Sequence, residues 1–309
     1  MGNFIVGISP HIRSENSTQR IMLDVILALC PAMIASVILF GPRTILLTLV
    51  SAGVCVFAEF LWEKCLHQPV TVSDLSAAVT GILLAFNVPY DMPVWQLIVG
   101  DVFAIIVVKM LFGGLGRNFM NPALVGRIVL MFSFTGSMTN YRYPANGIDA
   151  LSGATPLAEK SVLVPDNFMV LFLGNHGGVI GETCILALLI GGAYLLIRRV
   201  IAIWIPLCYL LSLLVFSALF GMEGAGMSLF AGGAVLGAFY MATDYVTSPL
   251  TDKGKILFGI GCGLITALIR VYANYTEGVT FAILIMNLLV PYIDGLTMHK
   301  PIGEIKKNG

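Results

Sequence analysis

The chain has 309 residues, 58% apolar and 11% charged, with a mean hydropathy of +0.92. Soluble globular domains carry about a quarter charged residues, so this composition excludes a water-soluble chain with a large extramembranous catalytic domain. Seventeen basic residues balance seventeen acidic ones, leaving no polybasic face for nucleic acid.

A membrane-crossing helix needs about 20 mainly apolar residues. Taken in chain order, the hydropathy predicts helices over residues 21–40, 44–62, 73–86, 94–112, 122–136, 178–197, 200–219, 228–242, 254–271 and 278–294. Segments 73–86 and 228–242 are too short to cross the hydrocarbon at about 1.5 Å per residue. Each runs into a polar, proline-containing stretch, Asn87-Val-Pro-Tyr-Asp-Met-Pro93 in one case and Thr243-Asp-Tyr-Val-Thr-Ser-Pro249 in the other. Irregular backbone at membrane depth persists only where protein or a cavity surrounds it, because lipid cannot satisfy its N–H and C=O groups. Both breaks are therefore candidate sites. The first twenty residues are polar and lack the apolar stretch of a cleavable signal peptide.

A gap-free shift superposes Gly81 on Gly237, Pro93 on Pro249, Asn118 on Asn274 and Arg43 on Arg199. Five spans per half is an odd number, so the second half enters from the opposite face, as in transporters with inverted repeats. The expected fold is an all-α polytopic integral membrane protein of about ten segments. It would comprise one five-helix repeat over 1–136, an extracytoplasmic loop over 137–167 and a second five-helix repeat over 168–309. With both termini in the cytoplasm, Arg13, Arg20, Lys64, Arg117, Arg198, Arg199, Lys253, Lys255, Lys300, Lys306 and Lys307 fall inside. Lys109 and Arg127 fall near the inner surface, and Arg43, Arg142, Lys160 and Arg270 fall outside, which satisfies the positive-inside rule.

Ionisable residues within spans are costly and usually functional. Glu59, Lys109 and Glu182 lie close enough to predicted helix ends to be read as snorkelling. Asp101 sits in mid-span and points to cation or proton handling. Asp24, one turn into its span, is the other candidate for an ion path. The six cysteines are scattered without a C-x-x-C pair and His11, His67, His176 and His299 form no ligand motif. They are read as buried or isolated side chains, with no metal or iron–sulfur site.

Loop 137–167 contains Asp149-Ala-Leu-Ser-Gly-Ala-Thr-Pro156. Ser152, Gly153 and Ala154 form a small-residue turn that leaves the Thr155 hydroxyl accessible, and Pro156 fixes the exit. An ordinary surface turn and a modification site both fit that pattern. Upstream, Asn118 and Asn121 bracket Phe119 and Met120, and Pro122 suits the first position of a helix. Two readings fit here as well. The asparagines cap the helix, or their amides, beside an aromatic ring, hold a planar ring system.

The loop motif resembles the flavinylation motif of membrane subunits of the Rnf and Na⁺-translocating NADH:quinone oxidoreductase (Nqr) complexes. Similar stretches follow the family in order: Gly113-Gly-Leu-Gly-Arg-Asn-Phe-Met-Asn-Pro-Ala-Leu-Val-Gly-Arg127, Gly237-Ala-Phe-Tyr-Met-Ala-Thr-Asp-Tyr-Val-Thr-Ser-Pro249, and Glu277 to Asn287 with Pro291. The length is closest to the D-type subunits of Rnf complexes. Ala150 departs from the motif, which often has glycine there.

The resemblance implies FMN joined to Thr155 by a phosphoester, with Asp149, Ser152, Gly153 and Ala154 read by a flavin transferase outside the cytoplasmic membrane of a bacterium. Arg142 and Lys160, the loop cations, are candidate phosphate neighbours or simply solvated charges. The family also implies a second, non-covalent flavin, riboflavin, near the cytoplasmic face, where Asn118, Asn121, Thr243, Asp244 and Thr247 would gather. By the repeat, Asn87 to Pro93 and Asn274 would form the outer counterpart beside Thr155. The function implied is a membrane subunit of a redox-driven ion pump, coupling ferredoxin and NAD electron transfer to Na⁺ or H⁺ movement. Without a glycine-rich dinucleotide fingerprint or a cysteine cluster, NAD and iron–sulfur centres would reside on other membrane and peripheral subunits. A channel or secondary transporter without a redox cofactor is the alternative, and a passive membrane anchor a third. Neither has use for the loop motif.

Overall fold

The computed structural model describes residues 17–142, 157, 168–222, 224–273 and 278–298, together with the backbone of 152–153. The first group of elements comprises α1 (Thr18–Phe40), α2 (Arg43–Cys65), α3 (Ser76–Phe86), α4 (Val94–Val102, continuing as a π-helix over Phe103–Met110), α5 (Pro122–Ser133) and the single turn α6 (Thr135–Met138). The second comprises α7 (Phe168–Leu173), α8 (Ile185–Ile197), α9 (Trp204–Leu219), α10 (Ala225–Ser228), α11 (Ala234–Leu236, continuing as a π-helix over Gly237–Met241), α12 (Asp252–Tyr272) and α13 (Val279–Thr297). Two short strands, β1 (Tyr141–Arg142) and β2 (Ser152–Gly153), pair antiparallel between them.

Helices α1, α2, α12 and α13 are long and apolar enough to cross a membrane, while α3, α5, α8 and α9 are shorter apolar helices. The molecule is thus an all-α polytopic membrane protein. Its radial polarity matches a lipid solvent. Along α2, Thr44, Thr48, Ser51, Glu59 and Glu63 are buried, whereas Leu46, Leu49 and Phe57 are exposed. In hydrocarbon the polar groups must find partners inside the protein, and the aliphatic side chains face outward.

Helical structure occurs in every predicted segment, with three informative differences. Segment 228–242 is cut in two where Gly232 and Gly233 take φ +60° and +56°. Only glycine adopts that backbone without strain, so α10 cannot run into α11. Segment 178–197 becomes helical only at Ile185. Before that, Ile180 N–H donates to Val88 O at 3.1 Å and Gly181 N–H to Phe86 O at 2.9 Å. A Cβ at Gly181 would lie 2.3 Å from Phe86 Cβ, so glycine permits this backbone approach. The first short segment begins at Ser76, where Asp74 Oδ1 accepts from Ser76 N at 2.8 Å and from its Oγ at 2.6 Å. Helix α7 lies outside the predicted segments.

Small residues set the helix contacts, as expected where lipid supplies no hydrophobic drive between helices. A Cβ on Gly191 of α8 would sit 1.9 Å from Ala28 O of α1. Gly259 and Gly263 of α12 likewise lie tight against α9, the first at Ile205 and Tyr209 and the second at Tyr209 and Leu213, and Gly81 of α3 against Ser51 and Ala52 of α2. These glycines serve helix contacts within the chain.

Candidate functional site

Helix α5 starts as the sequence predicts, with Asn121 at the N-cap and Pro122 at the first helical position. Asn121 Oδ1 accepts from Ala123 N at 3.0 Å, and Nδ2 donates to Met241 O at 3.3 Å. One asparagine thus caps its own helix and holds the end of the second broken segment. Asn118 Nδ2 donates to Met120 O at 3.1 Å. With the Asn287 amide oriented to satisfy its neighbours, its nitrogen donates to Ile283 O at 3.2 Å and Thr247 O at 3.0 Å. Its oxygen then accepts from Asn121 N at 3.3 Å. Asn287 of α13 therefore ties the α5 start to the second break.

These contacts frame a cleft, with a cavity volume of about 90 Å³, lined by Asn118, Asn121, Thr243 and Asp244. Ser76 and Lys109 join them from the first group, with Val79, Leu83, Ile201, Phe239 and Tyr240 forming apolar walls. Four of the five residues expected to gather at the inner site line one cavity. Thr247 stands behind it, its Oγ1 donating to Asp244 Oδ2 at 3.0 Å. Phe119 does not supply the aromatic surface. It is 42% exposed and packs on Phe112 instead. Phe239, Tyr240 and Tyr245 line the cleft in its place. Sequence reasoning missed them because they lie on the irregular second break, where no periodicity indicates which side chains face inward.

The cleft has mostly apolar walls with a few convergent polar groups, the lining typical of a small-molecule site. Amide, hydroxyl, ammonium and carboxylate groups gather along it, a donor and acceptor set that suits the polar edge of a flavin ring. Lys109 Nζ is 2.7 Å from Glu59 Oε1, 2.8 Å from Oε2 and 2.6 Å from Ser76 Oγ. Glu59 and Lys109 do not snorkel. They form a buried ion pair beside the cleft because the π-helical continuation of α4 turns Lys109 toward α2. Glu182 and Arg127 are likewise buried and paired at 3.1 Å, and Arg127 also donates to Asn87 Oδ1 at 2.6 Å. Arg127 is thus a core cation rather than an inner-surface charge, and Asn87 belongs to this interior network.

Asp101 is fully buried. Its Oδ1 accepts from Ser51 Oγ at 2.5 Å and from Cys55 Sγ at 3.5 Å, and its Oδ2 has no partner. Asp24 is held at the α1–α8 contact by Tyr194 Oη at 2.8 Å and Arg198 at 3.3 Å. Among the described residues no group of His, Cys, Asp and Glu has the makings of a ligand cluster for a metal ion.

On the other break, Arg142 stacks over Tyr90 at 5.2 Å and pairs with Asp91 at 3.5 Å. Arg43 approaches the same ring at 5.9 Å and donates to Met92 O at 3.0 Å. The Tyr141–Arg142 strand pairs with Ser152–Gly153, so the start of the small-residue turn is held beside this break. Beyond it, Leu157 is buried against Leu171 and Ala231. Asp149, Ala154, Thr155, Lys160 and Asn274 lie outside the described residues.

The NQR2, RnfD, RnfE family model matches residues 5–303. The chain is 45% identical to the D-type subunit of the Na⁺-translocating ferredoxin:NAD⁺ oxidoreductase complex of Acetobacterium woodii, over 98% of this chain and 96% of that protein. It is 36% identical to the D-type subunit of the proton-translocating ferredoxin:NAD⁺ oxidoreductase complex of Clostridium ljungdahlii, over 97% and 96% of the two chains. It is 34% identical to the D-type subunit of an ion-translocating oxidoreductase complex of Escherichia coli, over 98% and 99%. With the family model matched across nearly its whole length, the chain belongs to the NQR2, RnfD, RnfE family.

Proposed function

We propose that this chain is the membrane-embedded electron-carrying subunit of an ion-translocating ferredoxin:NAD⁺ oxidoreductase complex. In this reading FMN is attached to Thr155 and riboflavin occupies the cleft. The observation that carries it is the convergence of Asn118, Asn121, Thr243 and Asp244, distant in sequence, on one cleft that Phe239 and Tyr240 also line. Near-full-length relatives named as D-type subunits of such complexes supply the assembly.

Flavin, when bound, accepts electrons and passes them on one or two at a time. The chain's own residues would fix where that happens. Phe239 and Tyr240 offer ring faces against which a planar system packs, and the Asn118 and Asn121 amides, already oriented by Met120 and Met241, would orient its polar edge. The two ends of the turn around Thr155 are tethered, Ser152–Gly153 to β1 and Leu157 to the cluster with Leu171 and Ala231. That anchorage supports a loop presented to a flavin transferase, with Arg142 beside it. We read the two helix groups as inverted repeats, residues 1–136 and 168–309 flanking the loop. Both termini would then be cytoplasmic, the cleft near the cytoplasmic face and Thr155 outside. Iron–sulfur and NAD sites would belong to partner subunits, and Asp101 to an ion path.

The test is intact mass and in-gel fluorescence of the denatured chain after coexpression with the flavin transferase. The expected result is one FMN less one water, abolished by Thr155→Ala. A wild-type chain lacking both the added mass and the fluorescence would favour a channel or transporter without a redox cofactor.

A further inference from the structure

We propose that Asp101, Ser51 and the Gly81 carbonyl form a binding site for one dehydrated Na⁺ ion inside the first helix group. The proposal deepens the ion-translocating reading above and rests on it. The three groups come from α4, α2 and α3. They meet because Gly81 lets α3 press on α2, where a Cβ would lie 2.7 Å from both Ser51 O and Ala52 Cα. Ser51 Oγ then stands 2.7 Å from Gly81 O and 2.5 Å from Asp101 Oδ1.

The count of protons does not close. A hydroxyl carries one hydrogen, so Ser51 donates to only one of these two acceptors at a time. Cys55, at 3.5 Å from Oδ1, adds a weak thiol donor. Oδ2 is buried without any partner. The buried cations of neighbouring elements are engaged elsewhere, Lys109 by Glu59 and Ser76, and Arg127 by Asn87 and Glu182. The site therefore gathers oxygens and lacks positive charge. A proton on Oδ1 would repair the contact with Ser51 and still leave Oδ2 orphaned. A hard cation can use both carboxylate oxygens, the hydroxyl and the carbonyl, which is the ligand chemistry such ions select.

The position suits a station on a path. Ser51 belongs to a file of buried polar residues on α2, with Thr44, Thr48, Cys55 and Glu59 at three- and four-residue spacing. The file meets the cleft at the Glu59–Lys109 pair, since Lys109 and Ser76 line that cavity.

The experiment uses the purified whole complex without electron donor. It measures equilibrium ²²Na⁺ binding and Na⁺-minus-K⁺ infrared difference spectra for wild type, Asp101→Asn and Ser51→Ala, with flavin content and subunit composition as controls for folding. The expected result is one Na⁺ fewer per complex in Asp101→Asn, together with loss of a Na⁺-sensitive carboxylate band. Ser51→Ala should weaken Na⁺ binding at least tenfold. Unchanged Na⁺ stoichiometry and affinity in Asp101→Asn overturns the proposal, as does a carboxyl at Asp101 that stays protonated at saturating Na⁺. If Asp101→Asn fails to assemble, unchanged Na⁺ affinity in Ser51→Ala overturns it. Because binding is read without turnover, a complex that binds Na⁺ here but holds no flavin refutes the electron-carrier reading alone.

Discussion

Lys109→Met removes the cationic half of an ion pair enclosed by the helix bundle, with Nζ 2.7 Å from Glu59 Oε1 and side chains 3% and 1% exposed. At that distance, and an effective dielectric of about 20, the Coulomb attraction is on the order of 6 kcal/mol. Most of it offsets the desolvation of the two charges. Removing one partner of such a pair costs about 3–5 kcal/mol, because the other charge is left buried and uncompensated. Replacing both partners with neutral groups of similar volume is often close to neutral. At about 2–4 °C per kcal/mol, the single variant should melt roughly 6–20 °C below wild type. The double variant Glu59→Gln/Lys109→Met should recover to within about 5 °C. The assay is thermal denaturation of the detergent-purified complex, with flavin content recorded at each temperature because Lys109 lines the cleft. A double variant as unstable as Lys109→Met would refute this account, since the loss would then come from packing and not from an orphaned carboxylate.

Asn118→Ala with Asn121→Ala should release the non-covalent flavin, lowering extractable riboflavin at least tenfold while covalent FMN stays in the denatured band. Both flavins persisting would reject the cleft as the riboflavin site. The Asn121 change alone also removes a helix cap, costing about 1 kcal/mol, so the melting temperature should be followed alongside. Gly191→Ala should separate α1 from α8, because its Cβ would meet Ala28 O at 1.9 Å and Tyr240 Oη at 2.3 Å. Overpacking of this kind costs about 1–3 kcal/mol. A melting point within error of wild type would show that the two helices can shift apart without loss.

Composition and hydropathy determine the solvent of this protein, because burying its apolar residues in one water-soluble core is incompatible with so few charges. The ten segments, the two breaks and the asparagine cap before Pro122 are equally legible, since each depends on local chemistry: run length, proline, and side-chain oxygens near free N–H groups. What the sequence cannot carry is the direction in which a buried ionisable residue points. Glu59, Lys109 and Glu182 lie near predicted helix ends, where snorkelling is the default. Lys109 lies in the last turn of a π-helical stretch, and Glu182 precedes a helix that starts seven residues later than hydropathy implies. The partners of Arg127 are set the same way, by helices that meet it from distant parts of the chain. Phe119 shows the reverse failure, an aromatic between two cleft asparagines that faces away from the cleft. The tertiary structure alone decides these matters, because pairing inside a low-dielectric bundle depends on which helix faces meet, and that is fixed by close glycine contacts such as Gly81 on Ser51 and Gly191 on Ala28.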